Sequence, residues 1–259
     1  MIDDLAERLR AAQTDGTRLD RTEAAEFDIE TGHGVQDAGR ALRIAAGDRL
    51  AGRKVGVTSA AAQQAIGAEE PVAGYLMAST VVPAGAPFDC AGLVAPRVEV
   101  EVAFVLAAPL QGADLTPSDV LAATKHLALA LEVVDSRWEG GPASVGALVA
   151  DDVSAAGVIL GAEADPAAPD LPGLRVTARI GDATVTGDAG NVLGDPARAV
   201  ALLCADLHRR GERLEAGDLV LSGALVGPTP FAPGDTVVAD FGALGTLEAR
   251  FTAGDTAAR

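Results

Sequence analysis

The sequence predicts an α+β fold, in which a helical N-terminal region (residues 1–52) packs on a mixed β-sheet rolled towards a barrel (residues 53–259), the β-rich part forming one structural unit. Three observations carry this. The first fifty residues place apolar side chains at helical spacing. From RKVGVTS (53–59) onward the apolar runs are short and are broken by glycine and proline. Gly-Asp pairs at 181, 217 and 234 stand where tight turns start β segments.

Taken in order, DDLAERLRAAQ (3–13) sets Leu5 and Leu9 four apart, and GVQDAGRALRIAAGDRL (34–50) repeats the period with Val35, Ala38, Leu42 and Ala45. The strand candidates are 54–58, 97–107, 127–134, 155–160, 174–180, 218–222, 235–241 and 245–251. Two later helices are announced by their starts. TPSD (116–119) offers a threonine N-cap, a proline at the first helical position and an acid at the third, leading into VLAATKHL. DPARAVALLCADLHRRG (195–211) opens with Asp-Pro and stops at Gly211. The Pro-rich AEADPAAPDLPG (162–173) reads as a surface loop, and no internal repeat is present.

Composition narrows the function classes. Only 3% of residues are aromatic, so the core is built from Ala, Val and Leu. A net charge of −17 argues against nucleic acid and anionic membranes, which both need clustered Lys and Arg. No window approaches the roughly 20 apolar residues of a membrane span, and MIDDLAERLR is too charged for a secretion signal, so a cytoplasmic protein is expected. Cys90 and Cys204 are far apart and His33, His126 and His208 are scattered, which disfavours a disulfide framework and a Cys/His zinc site. Any metal would be held by oxygen.

The stretch RVEVEVAF (97–104) poses the chemical question. Along a strand Val98, Val100 and Val102 share one face, and Glu99 and Glu101 share the other, roughly 7 Å apart. The run continues as apolar residues, which suggests burial on both sides. Two buried like charges cost several kcal/mol unless a basic side chain, a proton or a metal neutralises them. LALALEVVDSR (127–137) is a second apolar run interrupted by an acid, Glu132. Three carboxylates on two buried strands suit Mg²⁺ or Mn²⁺, which take a few carboxylates and keep exchangeable waters. The same acids would equally serve a structural network with Arg97, Arg137 or Lys54.

PRVEVEVAFVL (96–106), ALEVVDSR (130–137), KVGVTS (54–59) and PGDTVVADFGALGTLEARF (233–251) together resemble the 2-keto-4-pentenoate hydratase / 2-oxo-3-hexenedioate decarboxylase family of the fumarylacetoacetate hydrolase-like superfamily. The resemblance runs from about residue 25 to residue 251. It implies helices on a distorted β-barrel of the fumarylacetoacetate hydrolase C-terminal-domain type, a homo-oligomer, and a divalent cation on Glu99, Glu101 and Glu132. Lys54 matches a lysine near the substrate, and Thr58, Ser154 and Ser222 are the substrate-binding candidates. Substrates of such enzymes are 2-hydroxy-dienoates or their 2-oxo tautomers. Carboxylate and 2-oxygen chelate one cation, which stabilises the developing enolate. Hydration or decarboxylation then follows according to the surrounding residues.

Three departures stand near those residues. Family hydratases commonly read P-D-F/Y-G where this chain has EPVAGYL (70–76), so Val72 replaces an acid, as in the decarboxylase branch. After DSR the family's basic, aromatic stretch ending A-D-N-A-S-S is replaced by WEGGPASVGALVADDVSAA (138–156): a lysine that would suit a distal carboxylate is missing, Asp152 replaces asparagine, and Ser154 remains. His33 replaces a tyrosine ahead of Gln36 and is a candidate general base. A hydro-lyase is expected first, a carboxy-lyase second. A catalytically weak partner subunit, associating with a related hydratase or decarboxylase, is a third reading.

Overall fold

The computed structural model describes residues 1–167 and 170–254. Helix α1 (Ile2–Asp15) ends on Gly16 in the left-handed conformation, and α2 (Ile29–Ala45) starts on Asp28, whose carboxylate accepts from Thr31 N at 2.8 Å. Strand β1 (Leu50–Gly56) follows, then the short α3 (Ala60–Ile66), β2 (Val72–Met77), β3 (Val81–Pro83), β4 (Phe88–Asp89) and the long β5 (Arg97–Leu106). Helix α4 (Pro117–Ala123) has the expected capping box at Thr116 and leads directly into β6 (Thr124–Val134). Then come α5 (Val145–Ala150), β7 (Ala155–Ala164), β8 (Arg175–Ile180), β9 (Ala183–Asp188), α6 (Pro196–Arg209), β10 (Leu219–Pro230), β11 (Thr236–Asp240) and β12 (Thr246–Thr252).

Seven strands form a curled mixed sheet in the order β2-β1-β10-β5-β6-β7-β3, and five form a second sheet, β4-β12-β11-β8-β9. In the first, β1 runs parallel to β10 and β3 to β7, the other neighbours being antiparallel. Alternation along β5 decides the two faces. Val98, Val100, Val102, Phe104 and Leu106 enter the main core, with Leu247, Phe251 and the α6 residues Val200, Leu203 and Leu207. Full burial of each such side chain contributes about 1.5–3 kcal/mol. The opposite, inner face is lined by small residues, Ala103, Ala128 and Ala130, beside Leu76, Val158 and Leu221. Glu99, Glu101 and Glu132 project from this inner face.

The helices α1, α2 and α5 form a separate apolar cluster around Leu5, Leu9, Val35, Ala147 and the buried Trp138, whose Nε1 donates to Ala147 O at 2.9 Å. Several boundaries differ from the sequence reading. The helix expected over 34–50 begins five residues earlier and stops at Ala45, before Gly47 at φ 95, and Leu50 already belongs to β1. The VLAATKHL helix stops at Ala123, so the strand expected from 127 starts at Thr124. Strands β2, β3, β4 and β9 and helices α3 and α5 were not anticipated; no residue of β9 is fully buried, so it carries no apolar signal. The 162–173 loop begins only after β7 ends at Ala164, and Ala168 and Pro169 within it lie outside the described residues, as do residues 255–259.

Candidate metal centre and active site

Registry brings the acids together. Across β5 and β6, Glu99 pairs with Glu132 and Glu101 with Ala130, so all three glutamates occupy one patch of the inner face. Each offers a carboxylate oxygen, and the three oxygens lie within 4.8 Å of one another. Glu101 and Glu132 are fully buried. Glu101 Oε2 accepts from Gly223 N at 2.8 Å, but Glu101 Oε1 and Glu132 Oε2 meet no hydrogen-bond donor among the described residues.

Among the described residues Lys54, on β1, is the one cation that reaches them. Its Nζ lies 2.5 Å from Glu132 Oε1 and donates to Val153 O at 3.1 Å. The lysine stem passes over Gly74 of β2, where an added Cβ would lie 2.7 Å from Lys54 Cγ; only glycine leaves that path open. Burial would depress the ammonium, yet the fields of Glu132, Glu99 and Glu101 prevail and hold its pKa above the usual lysine value. Burial raises all three carboxyls, Glu101 well above its usual range and Glu132 to about 7. Three carboxylates against one ammonium leave a formal charge of 1 − 3 = −2 in a buried patch. Orphaned carboxylate oxygens and a deficit of two positive charges are the conditions that a divalent cation with oxygen ligands satisfies. The donor set fits Mg²⁺ or Mn²⁺.

Strained backbone surrounds the patch. Asp152, Val153 and Ser154 follow one another at φ 49, 51 and 60, and Val57 sits at φ 62. Left-handed conformations are costly for β-branched residues and concentrate at functional sites. Here the turn aims Val153 O at Lys54 and buries Asp152 against β2, its Oδ1 accepting from Tyr75 N at 2.8 Å and Gln36 Nε2 at 3.1 Å. Burial pushes the Asp152 carboxyl up to about 6, against the opposing pull of these donors, Arg137 and Lys54. Val72 does not face solvent as an acid would: it packs with Val149 and Val153, an apolar wall behind the same turn.

One cleft reaches the patch at Glu99, and a second shares Pro228 with it. The first, of about 170 Å³, is lined by Thr58, Ser59, Glu99, Asn191 and Pro228. The other, of about 470 Å³, is lined by Arg97, Val134, Ser136, Ser154 and again Pro228. Thr58 and Ser154 thus stand in cleft walls. Thr58 Oγ1 donates to Asn191 O at 3.0 Å. Ser222 is fully buried and its hydroxyl is spent on Val102 O at 2.8 Å. His33, half-buried on α2, bonds through Nδ1 to Gln36 Oε1 at 3.1 Å, and Gln36 in turn holds Asp152 and Ala73 O. Its hydrogen bond is to an amide and not to an acid of the patch.

Comparison with known proteins agrees with this geometry. Residues 46–252 match the model of the fumarylacetoacetate (FAA) hydrolase C-terminal family. The chain belongs to this family. Within it, the chain is 36% identical over 259 residues to 2-oxo-hept-4-ene-1,7-dioate hydratase of Escherichia coli, covering 95% of this chain and 96% of that protein. It is 34% identical to 4-oxalocrotonate decarboxylase of Pseudomonas sp. (strain CF600), covering 95% of both. It is 35% identical to 2-keto-4-pentenoate hydratase of Burkholderia vietnamiensis, covering 97% of both. Among solved structures, 4-oxalocrotonate decarboxylase from Pseudomonas putida G7, complexed with magnesium and adipate, superposes with a TM-score of 0.92 at 32% identity, over 96% of this chain and 97% of that one. The family thus includes hydratases and decarboxylases, and the fold expected for it is the fold described here.

The sequence reading missed the Gly223 N–H that holds Glu101, the Val153 carbonyl that holds Lys54, and Asn191 beside Thr58. The first two are backbone groups, and no side chain marks them. Among the described residues no helix is long and apolar enough to cross a membrane.

Proposed function

We propose that this chain is a divalent-metal-dependent hydro-lyase that acts on a 2-hydroxy-dienoate or its 2-oxo-enoate tautomer, with Glu99, Glu101 and Glu132 holding Mg²⁺ or Mn²⁺. The observation that carries the reading is a trio of carboxylates, Glu101 and Glu132 fully buried with unpaired oxygens and Glu99 half-buried beside them, compensated among the described residues by a single lysine. When bound, the cation supplies Lewis acidity to a chelating carboxylate and 2-oxygen.

The remaining work belongs to the protein's own groups. Lys54 stays charged beside Glu132 and orients an anionic substrate over the patch. Asp152, one oxygen anchored by Tyr75 N and Gln36, has a carboxyl at about 6 and so can hold or release a proton near neutral pH. Val57, Val72 and Val153 form apolar walls on the Lys54 side, which strengthens these electrostatic interactions. Thr58 and Ser154 border the clefts through which substrate and water enter.

A carboxy-lyase is the second reading, favoured by one observation: Val72, in place of an acid, is buried with Val149 and Val153. The relatives support either outcome, since hydratases and decarboxylases both match over nearly their whole length. Assembly as a homo-oligomer, a place in aromatic-ring degradation and a cytoplasmic location belong to the same proposal.

The test is an assay with two channels, dienol absorbance and CO₂ release, on 2-hydroxypenta-2,4-dienoate and 2-oxo-3-hexenedioate, with Mg²⁺ and then with EDTA. Metal-dependent dienol loss without CO₂ is the expected result. CO₂ from the diacid selects the second reading, and no turnover of either substrate overturns both.

A further inference from the structure

A second space lies behind the strained turn. Between α1, α2 and β2 a cavity of about 50 Å³ is walled by Leu9, Val35 and Met77, with Gln36 and the half-buried Asp152 at its inner end. It has room for about three or four waters, at roughly 10–15 Å³ each. Arg10, which also lines it, is exposed, so the cavity meets solvent on the α1 side. The turn divides this space from the substrate side: Asp152 lines the cavity, and Ser154 lines the 470 Å³ cleft.

The Asp152 carboxylate is fixed at one oxygen only. Oδ1 is held by Tyr75 N and Gln36 Nε2, whereas Oδ2 accepts no hydrogen bond among the described residues. On its other side Asp152 stands against Lys54. A Cβ placed on Gly74 would lie 2.7 Å from Lys54 Cγ and 3.2 Å from Asp152 O, and the next carbonyl, Val153 O, accepts from Lys54 Nζ. The remaining charged groups around Asp152 have partners. Glu132 pairs with Lys54 and Arg137 with Asp151; across the cavity Arg40 pairs with Asp37 and Arg43 with Asp48. The Tyr75 hydroxyl donates to Asp37, and His33 is bonded to Gln36.

A glycine keeps the cavity open. Helix α2 contains Gly32, Gly34 and Gly39, each unfavourable in a helix interior. Packing explains the first two: a Cβ would lie 2.5 Å from Gly146 O at Gly32 and 3.1 Å from Ile2 Cδ1 at Gly34. At Gly39, which lines the cavity, a Cβ would meet nothing within 4 Å. What a side chain would displace there is the water space itself.

We propose that this cavity is a water-filled proton route, through which Asp152 exchanges protons with solvent while substrate fills the clefts. The inference rests on the function proposed above, in which Asp152 holds a proton near Lys54. In each turnover the O–H bond of Asp152 breaks as its proton passes to a substrate carbon. A new O–H bond forms with a proton from a cavity water, which solvent makes good on the α1 side. The 2-hydroxyl proton of the substrate leaves to solvent, so the proton count is unchanged. A carboxyl at about 6 lets the route run in both directions near neutral pH.

Hydrogen exchange at carbon reads the route directly. The C3 hydrogens of 2-oxopentanoate, a saturated acid that cannot be hydrated, are followed by NMR in D₂O on the Mg²⁺-loaded protein. Each event breaks a C–H bond, gives that proton to solvent and forms a C–D bond with a solvent deuteron. Gly39→Leu, which fills the cavity, is expected to slow exchange about tenfold or more, with unchanged calorimetric affinities for Mg²⁺ and 2-oxopentanoate. Asp152→Asn should slow it at least as much, and Gly39→Leu should add nothing in that background, because both block one route. Melting temperatures show that the variants fold, and Gly39→Met, unbranched, replaces Gly39→Leu if that one does not. Wild-type exchange in the filled variant, or losses that add in the double variant, would overturn the proposal. Exchange that depends on Gly39 and Asp152 without turnover of any dienoate would leave the route standing and sink the reaction. Dienoate turnover without exchange, or untouched by Gly39→Leu, would do the reverse. Neither exchange nor turnover would overturn both.

Discussion

Two clusters of buried charge lie close together in this molecule, and they are built to opposite rules. At the end of β6, Arg137 is saturated: its Nε pairs with Asp151, and its Nη1 donates to Asp135 O at 2.7 Å and Ala155 O at 3.0 Å. Asp151 Oδ2 accepts in turn from Arg137 N at 2.9 Å and Ser136 Oγ at 3.1 Å. The glutamate patch is comparably buried, yet it has one lysine for three acids and leaves carboxylate oxygens without donors. The Arg137 cluster leaves no buried donor or acceptor open, and the glutamate patch leaves carboxylate oxygens that a ligand can complete.

The largest effect should come from breaking the open cluster. Glu101→Gln or Glu132→Gln is expected to lower metal-dependent turnover by more than about a hundredfold. Glu101→Gln should also raise the melting temperature of the metal-free protein, because it removes a buried charge with no cation paired to it, whereas Glu132→Gln takes away the partner of Lys54 and should lower it. A lower melting temperature of metal-free Glu101→Gln would show that this acid is structural. Breaking the closed cluster should act the other way round. Asp151→Ala strands Arg137 and is expected to cost about 3–5 kcal/mol in denaturant unfolding. Added Mg²⁺ should raise the melting temperature of this variant by the same increment as that of the wild type; a smaller increment would tie Asp151 to the metal centre.

The pH dependence sharpens the contrast. The Glu132 carboxyl is raised to about 7, so between the unfolded value near 4.5 and about 7 the folded metal-free protein binds more protons than the unfolded chain. Stability of the metal-free protein therefore rises as pH falls through 7 towards 4.5, and Mg²⁺ affinity rises as pH increases through the same window. Asp48 behaves oppositely. Despite some desolvation, Ser79, Arg49 N and Arg43 hold it at about 2, so its contribution is present above 3.8 and is lost as pH falls towards 2. Melting curves from pH 3 to pH 9, with and without EDTA, separate the two. The smallest effect is expected at His33, which acts through Gln36: His33→Ala should change kcat/KM about twofold and stability by about 0.5 kcal/mol. A hundredfold fall in kcat/KM would reinstate it as a base.

Much of this site was legible in the sequence because strands have a period of two. Glu99 and Glu101 had to share a face opposite three valines, and Glu132 stood out as an acid inside an apolar run. The pairing of Glu99 with Glu132 was not legible, since register depends on partners distant in the chain. Nor was the turn at Asp152–Ser154: left-handed backbone at aspartate, valine and serine has no compositional mark, unlike a glycine turn. Gly74 was visible, but not the lysine that passes over it. Arg97 was read only as a possible partner for the acids, whereas its place in the cleft follows from where β5 begins.

The most direct test of the account is a calorimetric titration of the EDTA-stripped protein with Mn²⁺, and then with Mg²⁺, alongside Glu132→Gln. The account predicts one ion per chain, proton release that grows below pH 7, and loss of binding in the variant. Absence of stoichiometric binding in the wild type, or undiminished binding in Glu132→Gln, would contradict it.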